Sequence, residues 1–302
     1  MFEKILVCLD GSELAEQILP YAKQQALRFS SEIQLLHVIG KPDREHEGIG
    51  PEDFEAPLYL EKVAASLREK GIDVNCVTIE GVVGEAILSY ADQREIGLIA
   101  MATHGRSGLG RAVFGSVADY LLRESGLPIL TIKPQQAGAH LNTQEPLFNK
   151  ILACLDGSKL AEQIMLYATE EALRFQGQLI LFQTVPEPVA FSPGIPGAAP
   201  VPIETDTMLE EAKKALKVSR EYLEKLATPL RQRGVGVEAV TIPGIPGEAI
   251  LHYADSNNIK LITIATHGRG GLRRAVFGSV ADYVLRESGL PILVIRPRED
   301  KD

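Results

Sequence analysis

The sequence predicts an α/β protein of two tandem units, each a five-stranded parallel sheet with helices on both faces. Three observations predict it. First, the chain is written twice. Residues 4–29 (KILVCLDGSELAEQILPYAKQQALRF) match 150–175 (KILACLDGSKLAEQIMLYATEEALRF) at an offset of 146. Residues 102–134 match 265–297 at an offset of 163, with 28 of 33 positions identical, where chance gives roughly two. Second, each copy alternates short apolar runs with amphipathic stretches, the pattern of βαβ crossovers. Third, 302 residues at 45% hydrophobic and 24% charged suit two complete cores. The expected boundaries are unit one at 1–134, a linker at 135–148 and unit two at 149–302.

In unit one, Ile5-Leu6-Val7-Cys8-Leu9 is continuously apolar, as a strand covered on both faces must be. Asp10-Gly11-Ser12 breaks it, and Ser12 can cap a helix running to about Ser30. Pro20 falls inside that helix and predicts a bend, although unit two has Leu166 there. Ile33–Ile39 reads as a second strand. The polar stretch 40–57 reads as loop, followed by a helix over about 58–70 closed by Gly71. Val74–Ile79, a helix from Gly84 to Arg94, Leu98–Ala102, a helix from Ser116 to Glu124 and Pro128–Lys133 complete the unit. The offset grows from 146 to 163, so unit two carries 17 extra residues, within the Pro- and Gly-rich stretch 186–207. That composition excludes helix and central strand there. The resulting class is Rossmann-like, and ligands of such sheets bind at strand carboxyl ends where the strand order reverses. Pro128–Lys133 is an expected sheet edge.

A net charge of −9 argues against an electrostatically driven nucleic-acid binder. No apolar run approaches the length of a membrane span. The start MFEKILVCLDGS reads as a strand and turn rather than a signal peptide. Three scattered cysteines make no disulfide framework. The expectation is a cytoplasmic protein.

The chemistry concentrates after the fourth strand. Unit one reads Ala102-Thr103-His104-Gly105-Arg106-Ser107-Gly108-Leu109-Gly110-Arg111-Ala112-Val113-Phe114-Gly115-Ser116, and unit two repeats it from Ala265 to Ser279. Glycines allow close backbone approach, a helix opens at Gly115-Ser116, and arginines add positive charge. Ser116 is placed either to cap that helix or to offer its hydroxyl to a phosphate. Neither GxxxxGK(S/T) nor GxGxxG is present. From the residues alone, a phosphate cradle and a plain capped loop both remain open.

These residues resemble the universal stress protein family in its tandem form, over nearly the whole of both units. The family's ATP-binding branch carries G-x2-G-x9-G-(S/T). Gly105, Gly115 and Ser116 match its second half, as do Gly268, Gly278 and Ser279, while Ala102 and Ala265 replace the first glycine. The resemblance implies adenine nucleotide alpha-hydrolase-like domains that bind ATP, ADP or AMP, with cyclic AMP also open. Mg²⁺ would accompany the phosphates, held through them and water. It places Asp10 and Asp156 at the ribose or adenine, and Val38 and Thr184 where the backbone reads adenine. The phosphates fall to Gly105, Arg106, Gly115, Ser116 and Val117, and to Gly268, Arg269, Gly278, Ser279 and Val280. With Thr184 replacing Val38, the two pockets are expected to differ in affinity. The resemblance also implies that equivalent edge strands meet, here as an intrachain pseudo-dimer, with a homodimer as a further possibility.

Several residues carry a second account. Asp10 and Asp156 also suit a turn before a helix. His104 and His267 suit either a phosphate contact or a surface position. Cys8 and Cys154 read as small core residues. No Cys/His cluster has metal-ligand spacing, and no nucleophile–base pair or GxSxG is evident. The expected function is a nucleotide-binding regulator of stress response with unknown protein partners. The alternatives are a slow ATPase or autophosphorylating enzyme, and an interaction module without nucleotide.

Overall fold

The computed structural model describes residues 1–40, 51–103, 115–134, 147–187, 190–191, 202–203, 206–266 and 278–297. Unit one runs β1 (Lys4–Cys8), α1 (Glu13–Glu16), α2 (Leu19–Phe29), β2 (Glu32–Gly40), α3 (Pro51–Arg68), β3 (Val74–Gly81), α4 (Val83–Gln93), β4 (Leu98–Ala102), α5 (Ser116–Glu124) and β5 (Ile129–Ile132). Unit two repeats it as β6 (Lys150–Cys154), α6 (Lys159–Glu162), α7 (Ile164–Phe175), β7 (Gln178–Val185), α8 (Asp206–Gln232), β10 (Gly236–Pro243), α9 (Pro246–Ser256), β11 (Leu261–Ala265), α10 (Ser279–Glu287) and β12 (Ile292–Ile295). Among the described residues, the stretch that carries the 17 extra residues holds the two-residue antiparallel pair β8 (Ala190–Phe191) and β9 (Pro202–Ile203).

Each unit is a parallel five-stranded array in the order 3-2-1-4-5, and the two arrays join as one ten-stranded sheet, β10-β7-β6-β11-β12-β5-β4-β1-β2-β3. The join is the expected edge pairing within one chain. β5 meets β12 antiparallel, with Leu130 opposite Leu293. Two edges that would each expose unpaired backbone groups cover one another. Lys133 Nζ donates to the Arg286 carbonyl at 2.5 Å, and Arg296 donates to the Arg123 carbonyl. These residues correspond at the offset of 163, so the contacts are reciprocal about a pseudo-twofold axis.

Alternation along the strands sorts the core into two layers. Ile5, Val7, Ile33 and Leu35 point to the face covered by α2, α3, α7 and α8, while Leu6, Leu36 and Ile99 point to the face covered by α4, α5, α9 and α10. The first layer is continuous across both units. Phe2 stacks on Tyr167 and Tyr21 on Phe148, both at 6.0 Å between ring centroids, and Phe148 meets the edge of Phe175 at 5.0 Å. Such ring pairs add roughly 1 kcal/mol each beyond the area they bury. Arg28 lies 5.7 Å over Phe175, and its counterpart Arg174 lies 5.5 Å over Phe29. On the same seam, α2 and α7 bring together Gln25 and Glu171, equivalent residues at the offset of 146. Gln25 Nε2 donates to Glu171 Oε1 at 2.7 Å, and neither residue is exposed.

Two expectations of element structure need correction. The helix expected from Ser12 to Ser30 is two helices, broken at Gln17-Ile18, and unit two breaks equivalently at Gln163 without a proline. Pro20 therefore does not bend a helix; it sits in the first turn of α2, where its missing N–H costs no helical bond. The expected loop at 40–57 is helical from Pro51, so α3 begins about two turns before 58 and contains Pro57. The Gly71 stop holds: its φ is +80°, and its N–H bonds to the Arg68 carbonyl at 2.9 Å.

Candidate functional site

The strand order reverses between β1 and β4 in unit one, and between β6 and β11 in unit two. These strands are hydrogen-bonded neighbours, Val7 opposite Ala100 and Ala153 opposite Thr263. Residues that leave their carboxyl ends are thus brought side by side, at the crevice such sheets use for ligands.

From β1 the chain enters a tight turn. The Ser12 N–H and Oγ both donate to Asp10 Oδ1, at 3.0 and 2.6 Å, and Ser12 Oγ accepts from the Ala15 N–H at 3.1 Å to cap α1. Unit two repeats the turn, with the Ser158 N–H on Asp156 Oδ1 at 2.9 Å and Ser158 capping α6. Gly11 and Gly157 have φ of +83° and +84°, the left-handed region that favours glycine. Asp10 and Asp156 are therefore turn residues in fact, and each is half-buried at the strand end. The turn uses Oδ1, which fixes the carboxylate in place; it does not conflict with a ligand role.

From β4 the chain returns at Gly115. Its N–H donates to the Thr103 carbonyl at 2.9 Å, and Gly278 does the same to Thr266 at 2.8 Å. Both have φ near −60°, so glycine is not demanded by backbone conformation. It is demanded by proximity. A Cβ on Gly115 would lie 3.1 Å from the Thr103 carbonyl oxygen, and one on Gly278 would lie 2.7 Å from that of Thr266. Gly115 is itself the helix cap, with no side chain to bond, so Ser116 is not the cap anticipated from sequence. Ser116 and Ser279 are the first helical residues and are exposed. The N–H groups of the first turn, Ser116 and Val117 included, have no partner within the helix and face outward with the positive dipole end. Val280 holds the matching place in α10.

Ala102 and Ala265 end β4 and β11, and neither has positive φ. Alanine in place of the pattern's first glycine is therefore free of backbone strain. Val38 lies in β2 opposite Ile79, and Thr184 in β7 opposite Ile242, each beside the strand end that carries its Asp. His104, Gly105, Arg106, His267, Gly268 and Arg269 lie outside the described residues. Burial pushes the Cys8 thiol up to about 12 and raises that of Cys154 as well, so both stay protonated as core residues. Among the described residues, no group of three or more His, Cys, Asp or Glu is placed to hold a metal ion. No helix there is long and apolar enough to cross a membrane.

Sequence reasoning missed one feature. A cavity of about 520 Å³ opens between the end of β7 and α8, lined by Gly157, Gln183, Thr184, Lys214, Ser219 and Tyr222 among others. Ser219 Oγ donates to Gln183 Oε1 at 2.6 Å and lies 3.0 Å from Thr241 Oγ1. The available signal was Gln183 in QLILFQTV, in register with the inward-facing Leu179 and Leu181.

Comparisons with known proteins agree on the family. The model of the universal stress protein family matches residues 1–133 and again 147–296. The universal stress protein YxiE of Bacillus subtilis is 30% identical over 152 residues, which is 50% of this chain and all of that protein. The universal stress protein Mb2028c of Mycobacterium bovis is 23% identical across 97% of this chain and 96% of its own length. A universal stress protein of Archaeoglobus fulgidus superposes over 99% of this chain and 97% of its own, with a TM-score of 0.71 at 21% identity, a likeness of fold.

Proposed function

The chain belongs to the universal stress protein family, and from that premise we propose that it is a tandem adenine-nucleotide-binding regulator of stress response, with one site per unit. One observation carries the reading. In both units, an Asp-Gly-Ser turn and a glycine-opened helix meet at the ends of adjacent strands at the point where the order reverses. Outward backbone N–H groups, an exposed serine hydroxyl and a glycine pressed against a strand-end carbonyl suit a polyphosphate bound mainly by backbone. The family resemblance assigns phosphate contacts to Gly105, Arg106, Gly268 and Arg269, with His104 and His267 as further candidates, all outside the described residues. The adenine part of the reading comes from the family resemblance, with Asp10 or Asp156 toward the ribose and the strand backbone at Val38 or Thr184 toward the base. A divalent cation would be held through the phosphates and water. The nucleotide's role is to hold the loops in one arrangement for a protein partner, which it does only as far as it prefers that arrangement.

Calorimetric titration of nucleotide-free protein with Mg·ATP tests this, beside Gly115→Val and Gly278→Val, each shown to remain folded. Two binding events are expected, one lost with each substitution. Absence of binding in the unsubstituted protein, by calorimetry and by a second probe, refutes the reading.

A further inference from the structure

We infer that the two sites read their ligands differently, and that in unit two the base seats in the cavity between β7 and α8, where Gln183 is the specificity-determining residue. The inference rests on the nucleotide reading above and assigns a chemistry to one part of that site. The cavity's volume of about 520 Å³ is of ligand size, within the range of roughly 300–1,000 Å³. It adjoins Gly157, next to Asp156, and Thr184, so it continues from the strand-end positions rather than lying apart from them.

In the structure the Gln183 amide is placed with its oxygen toward Ser219. Gln183 is 5% exposed, in a layer where Leu179 and Leu181 are fully buried, so its polar atoms need partners or a ligand. Ser219 Oγ has a single proton, and it goes to Gln183 Oε1, because that oxygen can only accept. Thr241 must then donate to Ser219, giving a relay from Thr241 through Ser219 to the Gln183 carbonyl. The opposite orientation would require the whole relay to reverse, with Nε2 donating to Ser219 and Ser219 donating to Thr241. In this orientation Oε1 is taken by Ser219, Nε2 has no partner among the described residues, and Gln183 lines the cavity, so it offers a ligand there a hydrogen-bond donor. That chemistry matches a base edge carrying a hydrogen-bond acceptor, such as a purine ring nitrogen.

Unit one replaces two of the three members. At the same offsets its residues are His37, Ala56 and Thr78. His37 is 2% exposed and sits on β2 opposite Thr78, as Gln183 sits opposite Thr241. Ala56 has no hydroxyl, so the relay cannot form, and an imidazole stands where unit two has an amide.

The test is titration of the full chain carrying Gly115→Val, which leaves unit two as the responding site. ATP and its 1-deaza, 3-deaza and 7-deaza analogues are compared on this parent and on the parent with Gln183→Leu added. Gln183→Met serves as a second apolar variant should the first lose its fold. Removing the amide is expected to weaken ATP binding about tenfold, the worth of one buried hydrogen bond. One deaza analogue is expected to lose a similar factor on the parent and nothing further on the variant. Ser219→Ala, which frees the carbonyl and lets the amide turn, is expected to cost about threefold, less than removing the amide itself. Undiminished ATP binding by both apolar variants overturns this inference and leaves the nucleotide reading standing. So does a pattern in which every analogue loses equally on parent and variant. No binding by unit two in the Gly115→Val parent, with none in the unsubstituted protein, overturns both.

Discussion

Replacing Glu171 with glutamine is expected to stabilise the protein above about pH 8 and to leave it nearly unchanged near pH 5. Glu171 is fully buried on the seam between α2 and α7. Burial pushes its carboxyl up to about 8, only partly opposed by the hydrogen bond from Gln25. Glu171 Oε2 and Gln25 Oε1 have no partner among the described residues. A protonated carboxyl resolves both, donating from Oε2 to Gln25 Oε1 while Oε1 accepts from Gln25 Nε2. The result is a closed acid–amide pair. Between about 4.5 and 8 the folded chain holds a proton that the unfolded chain has released, so the folded state binds more protons and stability falls as pH rises. The contribution is complete below about 4.5, declines through neutral pH and is gone above about 8. A tenfold change in proton affinity is worth about 1.4 kcal/mol, so the whole is of the order of 3–5 kcal/mol, with local relaxation favouring the lower end. Glutamine at 171 keeps the shape and supplies an N–H to Gln25 Oε1 at every pH. Urea unfolding of both proteins at about pH 5 and pH 9 measures the difference. It should open by roughly 3 kcal/mol in favour of Glu171→Gln at the higher pH, or about 5 °C in melting temperature. A variant less stable than the parent at pH 9, or a difference that does not change with pH, refutes the protonated pair.

Other outcomes follow from the same structure. Gly278→Ala should cost more stability than Gly115→Ala, about 2 against 1 kcal/mol or less, because its Cβ meets a strand carbonyl at 2.7 rather than 3.1 Å; thermal melts decide, and a reversed order contradicts the packing argument. Phe148→Ala should cost roughly 3–5 kcal/mol, since the ring is fully buried between Tyr21 and Phe175; a loss under about 1 kcal/mol in chemical denaturation would show that the seam does not depend on it. Cys8 and Cys154 should resist alkylation near pH 7.5 in the native protein, and Cys76 should react slowly, because burial pushes its thiol up to about 11 with Glu61 adding to the effect. Mass spectrometry after brief iodoacetamide treatment reads this, and prompt labelling of Cys8 or Cys154 counts against a closed core.

Much of the fold was legible because a repeated sequence states each strand twice. Leu98–Ala102 and Ser116–Glu124 coincide with β4 and α5, and the family resemblance implied that equivalent edges meet within one chain, though not that they run antiparallel. Errors arose where a local signal competed with packing. The polar composition of 40–57 suggested a loop, yet α3 starts at Pro51 and runs through Pro57, with Leu60 and Leu67 buried in the core. Pro20 suggested a bend, yet the break occurs equally beside Leu166. Ser116 was the better cap by residue type, but the nearness of the Thr103 carbonyl selects Gly115. Gln25 with Glu171, and Gln183 with Ser219, were not legible. Each is an ordinary polar residue in its own segment and becomes significant only through a partner 146 or 36 positions away.

The antiparallel join has a further consequence. Strands run oppositely in the two halves of the sheet, while the α2 and α7 layer covers the same face in both. The carboxyl ends of the two arrays therefore open at opposite poles of the molecule. A small ligand cannot bridge them, and a compact partner docked at one pole leaves the other uncovered. The two strand-end crevices are thus held apart, one at each end of a single shared core.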